Sequence, residues 1–153
     1  MTTAGRVNQT STGTTRRPTK HLLTTRFEDL AAALRGHAEG LYHVEAAVEL
    51  LIGHRKWLCR NDFVTRFVQL VPGLAGDSVL AVVSWRAAVR ALAAGRLPCS
   101  DSEGHLLRIA ASIAEGVPVN LNECLSTLDN HNIRLVADAM LAANGRSGRG
   151  WSR

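Results

Sequence analysis

The chain is short of several features that mark common protein classes. No uncharged apolar run reaches the roughly 18 residues that a membrane-spanning helix needs. The longest runs, residues 67–76 and 78–85, are separated by Asp77, and the first is interrupted by Pro72 and Gly73. No apolar block follows the first arginine, so a secretory signal is not expected. The three cysteines, Cys59, Cys99 and Cys124, are odd in number and form no CxxC pair. That argues against a disulfide framework or a zinc module and suits a reducing cytoplasm. A GxxxxGK[ST] phosphate loop, a GxGxxG after a strand, a GxSxG elbow and an HExxH helix are all missing. The expectation is therefore a protein with no cofactor, no metal and no catalytic residues.

Acidic residues are also absent from one place. Residues 1–27 hold Arg6, Arg16, Arg17, Lys20 and Arg26 and no Asp or Glu, a charge of +5. Residues 146–153 add Arg146, Arg149 and Arg153, a charge of +3. The stretch between, 28–145, has ten Lys/Arg against thirteen Asp/Glu, or −3. The overall +5 thus belongs to the ends, while the body is mildly acidic. Any attraction to nucleic acid through net charge is an attribute of the tails.

What is present is a succession of helix signals. Residues 1–22 are rich in Thr, Ser, Gly and Arg with few large apolar side chains. Such a segment buries too little surface to offset its ordering entropy, so a disordered tail is expected. Thr25 with Glu28 reads as a capping box, followed by a 3,4-spaced stripe of Phe27, Leu30, Leu34, His37, Leu41, Val44, Val48 and Leu51. Gly36 and Gly40 are points where this long helix is expected to bend or break, and Gly53 is its expected stop. Phe63, Val64, Phe67, Val68 and Val71 suggest a short helix halted by Pro72-Gly73. Ser84 is placed to cap a helix that closes at Gly95. Ser100 with Glu103 makes a second capping box for a helix stopped by Gly116, and Asn120 and Asp129 cap two more, the last ending at Gly145. Residues 79–83 and 117–119 are the only strand-like pieces. The expected fold is all-α: a compact bundle of about five to seven helices over residues 23–145, with tails at 1–22 and 146–153.

Local chemistry is sparse. His37 and His43 are six apart and so lie on different faces of a helix, which disfavours a shared metal. His37 on the apolar stripe reads as a core or interface imidazole. Cys59 lies among Arg55, Lys56 and Arg60, charges that favour a thiolate, but no histidine partner is placed for it. Residues 54–96 carry seven Lys/Arg against Asp62 and Asp77, between two acidic stretches. With Trp57 and Trp85 this composition fits a stacking site for nucleic acid or an interface hot spot, unless the arginines pair with the acidic helices on either side. The candidate nucleic-acid or partner contacts are Arg16, Arg17, Lys20, Arg55, Lys56, Trp57, Arg60, Arg86 and Arg90. The candidate helix interface is Leu34, His37, Leu41, Val44 and Val48. A helix-turn-helix reading of residues 107–145 is disfavoured by Pro118 in the turn and by a recognition segment, 121–128, that has Glu123 and no base.

Three stretches are familiar as a set: His37-Ala38-Glu39-Gly40-Leu41-Tyr42 through residues 46–52; Leu97-Pro98-Cys99-Ser100 leading to residues 107–112; and Leu128-Asp129 with residues 136–145. Over roughly residues 30–146 the chain resembles a group of small Ala/Leu-rich helical proteins of actinomycetes, some carried on plasmids. The shared motifs are compositional, and the group has no catalytic residues to carry over. The resemblance implies an accessory role in plasmid transfer or spread, through helix-mediated contacts with itself or another protein. The competing expectation is a DNA-binding regulator that uses the tails and the 54–96 segment.

Overall fold

The computed structural model describes residues 19–145 except Ala75 and Asp77, with side chains from Arg26 onward. The described chain is mostly helical, with eight helices and one hairpin: α1 Thr19–Ala38, α2 Tyr42–His54, α3 Lys56–Cys59, α4 Asn61–Phe67, β1 Val68–Pro72, β2 Val79–Val83, α5 Trp85–Ala93, α6 Asp101–Glu115, α7 Leu121–Leu125 and α8 Asn130–Ala143. The expected all-α bundle of five to seven helices is corrected on both counts.

The correction originates at residues 68–72. Read alone, this run continues the apolar pattern of α4. In the fold the helix ends at Phe67, and the chain pairs antiparallel with residues 79–83, from Val68 opposite Val83 to Pro72 opposite Val79. The ends of the ladder are closed by Ser84 N–H donating to the Phe67 carbonyl (2.7 Å) and Gly73 N–H to the Ser78 carbonyl (2.8 Å). Two valine-rich runs joined by a short link gain more as a ladder than β-branched residues gain in a helix. The other strand-like piece, 117–119, is a loop.

The long stripe at 27–51 is not one helix. Gly40 takes φ +85° and the chain turns through residues 39–41. Glu45 reaches back to accept from the Gly40 N–H (2.9 Å), and Arg35 on α1 pairs with Glu49 on α2 (Nη2–Oε2 2.9 Å). The stripe thereby folds onto itself. Phe27, Leu34, Val48 and Leu51 enter the core, whereas His37 and Leu41 are exposed. Helix α1 also starts at Thr19, six residues before the expected cap at Thr25 and inside the expected tail.

Helix α2 is central, burying Ala46, Ala47, Val48, Leu50, Leu51 and His54. Around it pack α1, α6 and α8. Gly53 does not stop the helix; a Cβ there would stand 2.8 Å from a methyl of Leu135 on α8. Its glycine allows α8 to approach. The reversal falls instead at Arg55, which adopts φ 65° with ψ −41°. Elsewhere the local signals hold. Ser100 and Glu103 form both bonds of a capping box (3.3 Å each), and Asn120 and Asp129 accept from Glu123 and Asn132 N–H. Gly116 ends α6 in the left-handed region. Ser84 holds the N-cap position of α5 without a side-chain bond.

Candidate functional site

Five cations of the basic middle segment make contacts within the molecule while staying at its surface. Arg55 lies over the Phe27 ring at 4.2 Å, tying the α2–α3 reversal to α1. Lys56 pairs with Glu103 at 2.9 Å and so joins α3 to the start of α6. Arg60 takes Asp62 in a two-point pair, donates to the Pro98 carbonyl (2.7 Å) and stacks on Trp57 at 4.8 Å. Arg66 donates to the Arg96 carbonyl (3.0 Å), and Arg86 to the Glu115 carbonyl (3.0 Å). Each guanidinium closes the end of a helix or a loop, because C-terminal carbonyls and nearby acids are the partners that the fold offers.

The effect on titration follows from the contacts. The hydrogen bond to Lys56 holds the Glu103 carboxyl below its ordinary range, and that to Arg60 does the same for Asp62. Arg35, Lys56 and Arg60 are each raised by the acid they touch. These pairs lie at the surface, where solvent screening leaves them a small effect on stability.

Trp57, expected as a contact, and Trp85, expected beside the basic patch, both change role. Trp57 is 1% exposed, its Nε1–H donating to the Glu103 carbonyl (3.0 Å), and its ring packs on Phe63 at 5.2 Å. Trp85 is buried as well. No stacking platform exists there, since neither ring presents a face to solvent. Arg86 and Arg90 remain exposed on α5. Arg16 and Arg17 lie outside the described residues; Lys20 is in the first turn of α1.

The expected helix interface is likewise rearranged. Leu34, His37, Val44 and Val48 do come together, but around a hollow of about 80 Å³ that faces Ala81, Val83 and Trp85. Leu34 and Val48 are core, Val44 is half-buried and Leu41 stands apart at 46% exposure. His37 is exposed, which corrects the core half of its reading as a core or interface imidazole.

The surface feature that sequence reasoning missed is a groove of about 610 Å³. One wall is α1, through Phe27, Leu30 and Ala33; the opposite wall is Leu58, Cys59 and Val64 from α3 and α4. The third side is the hairpin face carrying Val68, Leu70 and Val79. Arg26, Asp29 and Arg60 stand among these apolar groups. Apolar surface continues past the groove, because Leu70, Val79 and Leu74 are 68%, 57% and 109% exposed. The signal was available in the apolar residues at 70, 74 and 79, but only the hairpin pairing aligns two of them with α1.

The cysteines separate by environment. Burial pushes the Cys99 and Cys124 thiols up, whereas Cys59 is exposed in the groove wall. The cations around Cys59 are committed to Phe27, Glu103 and Asp62. Among the described residues no group of three or more His, Cys, Asp or Glu is arranged to hold a metal ion, and no helix is long and apolar enough to cross a membrane. Helix α7, the would-be recognition helix, is five residues long and presents Leu121 and Leu125 to solvent. The chain matches no protein-family model, and neither the curated proteins nor the solved structures contain a similar chain.

Proposed function

We propose that this chain is a non-enzymatic, cytoplasmic accessory protein of a plasmid or other mobile element, which acts by seating an apolar helix of a partner protein in the groove between α1, α4 and the hairpin. The observation that carries the reading is the groove itself, whose apolar lining includes the exposed Leu70 and Val79. A contiguous apolar surface of this kind on a polar body marks an interaction site.

A helix suits the groove better than an added strand. Phe67 and Ser84 form a bonded pair, so alternation turns the backbone groups of Val68, Leu70 and Pro72 to the outer edge of β1. Val68 N–H is already given to the Val64 carbonyl, and Pro72 has no N–H. Leu70 alone keeps both groups for a new strand, a blunted edge. A helix needs only the side-chain trough, read at i, i+3, i+4 and i+7. The partner's flank is acidic, because Arg26 stands on the α1 wall of the groove and Arg60 on the opposite side.

The test is an NMR titration of the full chain with synthetic amphipathic helices that share one apolar face and differ only in flanking charge. The acidic series should shift groove amides, and Leu70→Asp should weaken binding about tenfold. Equal binding of basic helices, or shifts away from the groove, would refute the reading.

A second reading rests on a separate observation, the run of five cations without an acid in residues 1–27. It makes the chain a DNA-binding regulator that uses the tails and the 54–96 segment, whose Arg55, Lys56, Arg66, Arg86 and Arg90 remain exposed. It predicts duplex retardation that weakens steeply with salt and is lost in the Arg16→Glu/Arg17→Glu variant. Absence of retardation at low salt would remove it.

A further inference from the structure

Helix α8 is apolar on two sides. One side, with Asn132, Val136 and Ala139, is buried against the body. On the other, Ile133, Ala137, Met140 and Leu141 are all exposed, at 37%, 41% and 50% for the three large ones. Their spacing of four, three and one places them on a single stripe about 100° wide, as broad as the buried face of an ordinary surface helix. Asn130 and Asn144 bound the stripe at its ends, and Arg134 and Asp138 run along one flank. Tyr42, 60% exposed, lies beside Gly145 just past the helix and lengthens the apolar surface.

We infer that this face is a self-association surface, taken by α8 of a second copy of the chain in antiparallel, two-fold-related packing. The symmetry is what selects the occupant. About a dyad between Val136 and Ala137, Ile133 meets the Met140–Leu141 end of the second copy, and the small Ala137 side chains let the helices come close. In antiparallel packing like flanks face each other in reverse order, so Arg134 faces Asp138 of the second copy and Asp138 faces its Arg134. About that dyad each charge stands closer along the helix to its opposite in the second copy than to its like. No ion pair with another residue of the chain engages either group among the described residues. Isologous contacts demand this self-complementarity, whereas an unrelated partner would need it only by coincidence.

The surface is small. Three large apolar groups and a tyrosine per copy fall short of the roughly 1,600 Å² of a standard interface, so the dimer belongs to the weak, concentration-dependent class. It is independent of the groove, which lies on α1, α4 and the hairpin.

Sedimentation equilibrium of the full chain from about 10 µM to about 1 mM covers the affinities such an area supports. A monomer–dimer equilibrium is expected. Met140→Asp should make the chain monomeric, and Leu70→Asp, in the groove, should leave the dimer unchanged. Arg134→Glu and Asp138→Arg should each weaken self-association roughly tenfold, since each turns two attractive contacts into repulsive ones. Mixing those two variants should restore association, because the heterodimer again matches opposite charges at both positions. A helix merely destabilised by either change would gain nothing from the mixture. The inference is overturned by a strict monomer at the highest concentration, by a dimer that survives Met140→Asp, or by a mixture no stronger than its components.

Discussion

At the scale of single residues, His54 shows how burial decides chemistry. It lies near the end of α2, where the Nδ1 of its ring and the Oδ1 of Asn132 are both buried without a hydrogen-bond partner. Burial, and then the charge of Lys56, push its pKa below the ordinary 6.5; Glu103 and Asp129 oppose the shift, and His131 adds to it. The folded state therefore holds His54 neutral, and the unfolded chain binds the proton more readily. Stability from this group is complete above pH 6.5 and is lost as pH falls through the lower folded value. Thermal melts of the full chain should show the midpoint dropping below pH 6.5, and His54→Leu should flatten that step. Glu103 and Asp62 are depressed too, but their contributions fade only as pH falls below 4.5 and 3.8, which keeps the windows apart. Gly116 is a second residue whose role is settled locally. With φ +65° and open space around its missing side chain, Gly116→Ala meets only backbone strain. It should lower stability by about 1 kcal/mol in urea unfolding with no change in the slope.

At the scale of elements, the helix starts were legible because a cap is satisfied within four residues of chain. Ser100 with Glu103, Asn120 and Asp129 are all where the sequence placed them. Ser100→Ala should cost about 1 kcal/mol, because it leaves the Glu103 N–H without its acceptor at the start of a largely buried helix. A chemical-denaturation midpoint measures it. Three boundaries were not legible, and each failed for a tertiary reason. Residues 68–72 follow a helical spacing but join a hairpin, since the ladder partner lies at 79–83. Gly53 resembles a stop, yet it is glycine because Leu135 of α8 occupies the space of its side chain. The stripe through 27–51 breaks at Gly40, and its halves face each other across Arg35 and Glu49.

For the whole molecule, the placing of charge has the largest consequence. Residues 54–96 carry seven cations, and the fold sets five of them against carbonyls, acids or rings. In the sequence, net positive charge is concentrated in residues 1–27 and 146–153. Residues 19–145 sum to −1, from twelve Lys/Arg and thirteen Asp/Glu. If DNA contact depends on the tails, a chain cut to 19–145 should not retard duplex at a salt concentration where the full chain does. Its helical circular dichroism and melting midpoint should stay close to those of the full chain, which shows that the loss is one of charge.

Composition and short-range spacing, by themselves, determined that this protein is mostly helical, where α6, α7 and α8 begin, and that its positive charge lies at its ends. Those properties depend on neighbours a few residues apart, so they are written in the order of the residues. Only the tertiary structure decided that Trp57 and Trp85 are core, that the helix interface expected at Leu34 and Val48 is internal, and that apolar surface is left over in the groove and on the outer face of α8. Burial is a relation between segments far apart in the chain. An apolar stripe records that a face prefers to be covered; which face finds its cover within the molecule is set by how the segments pack.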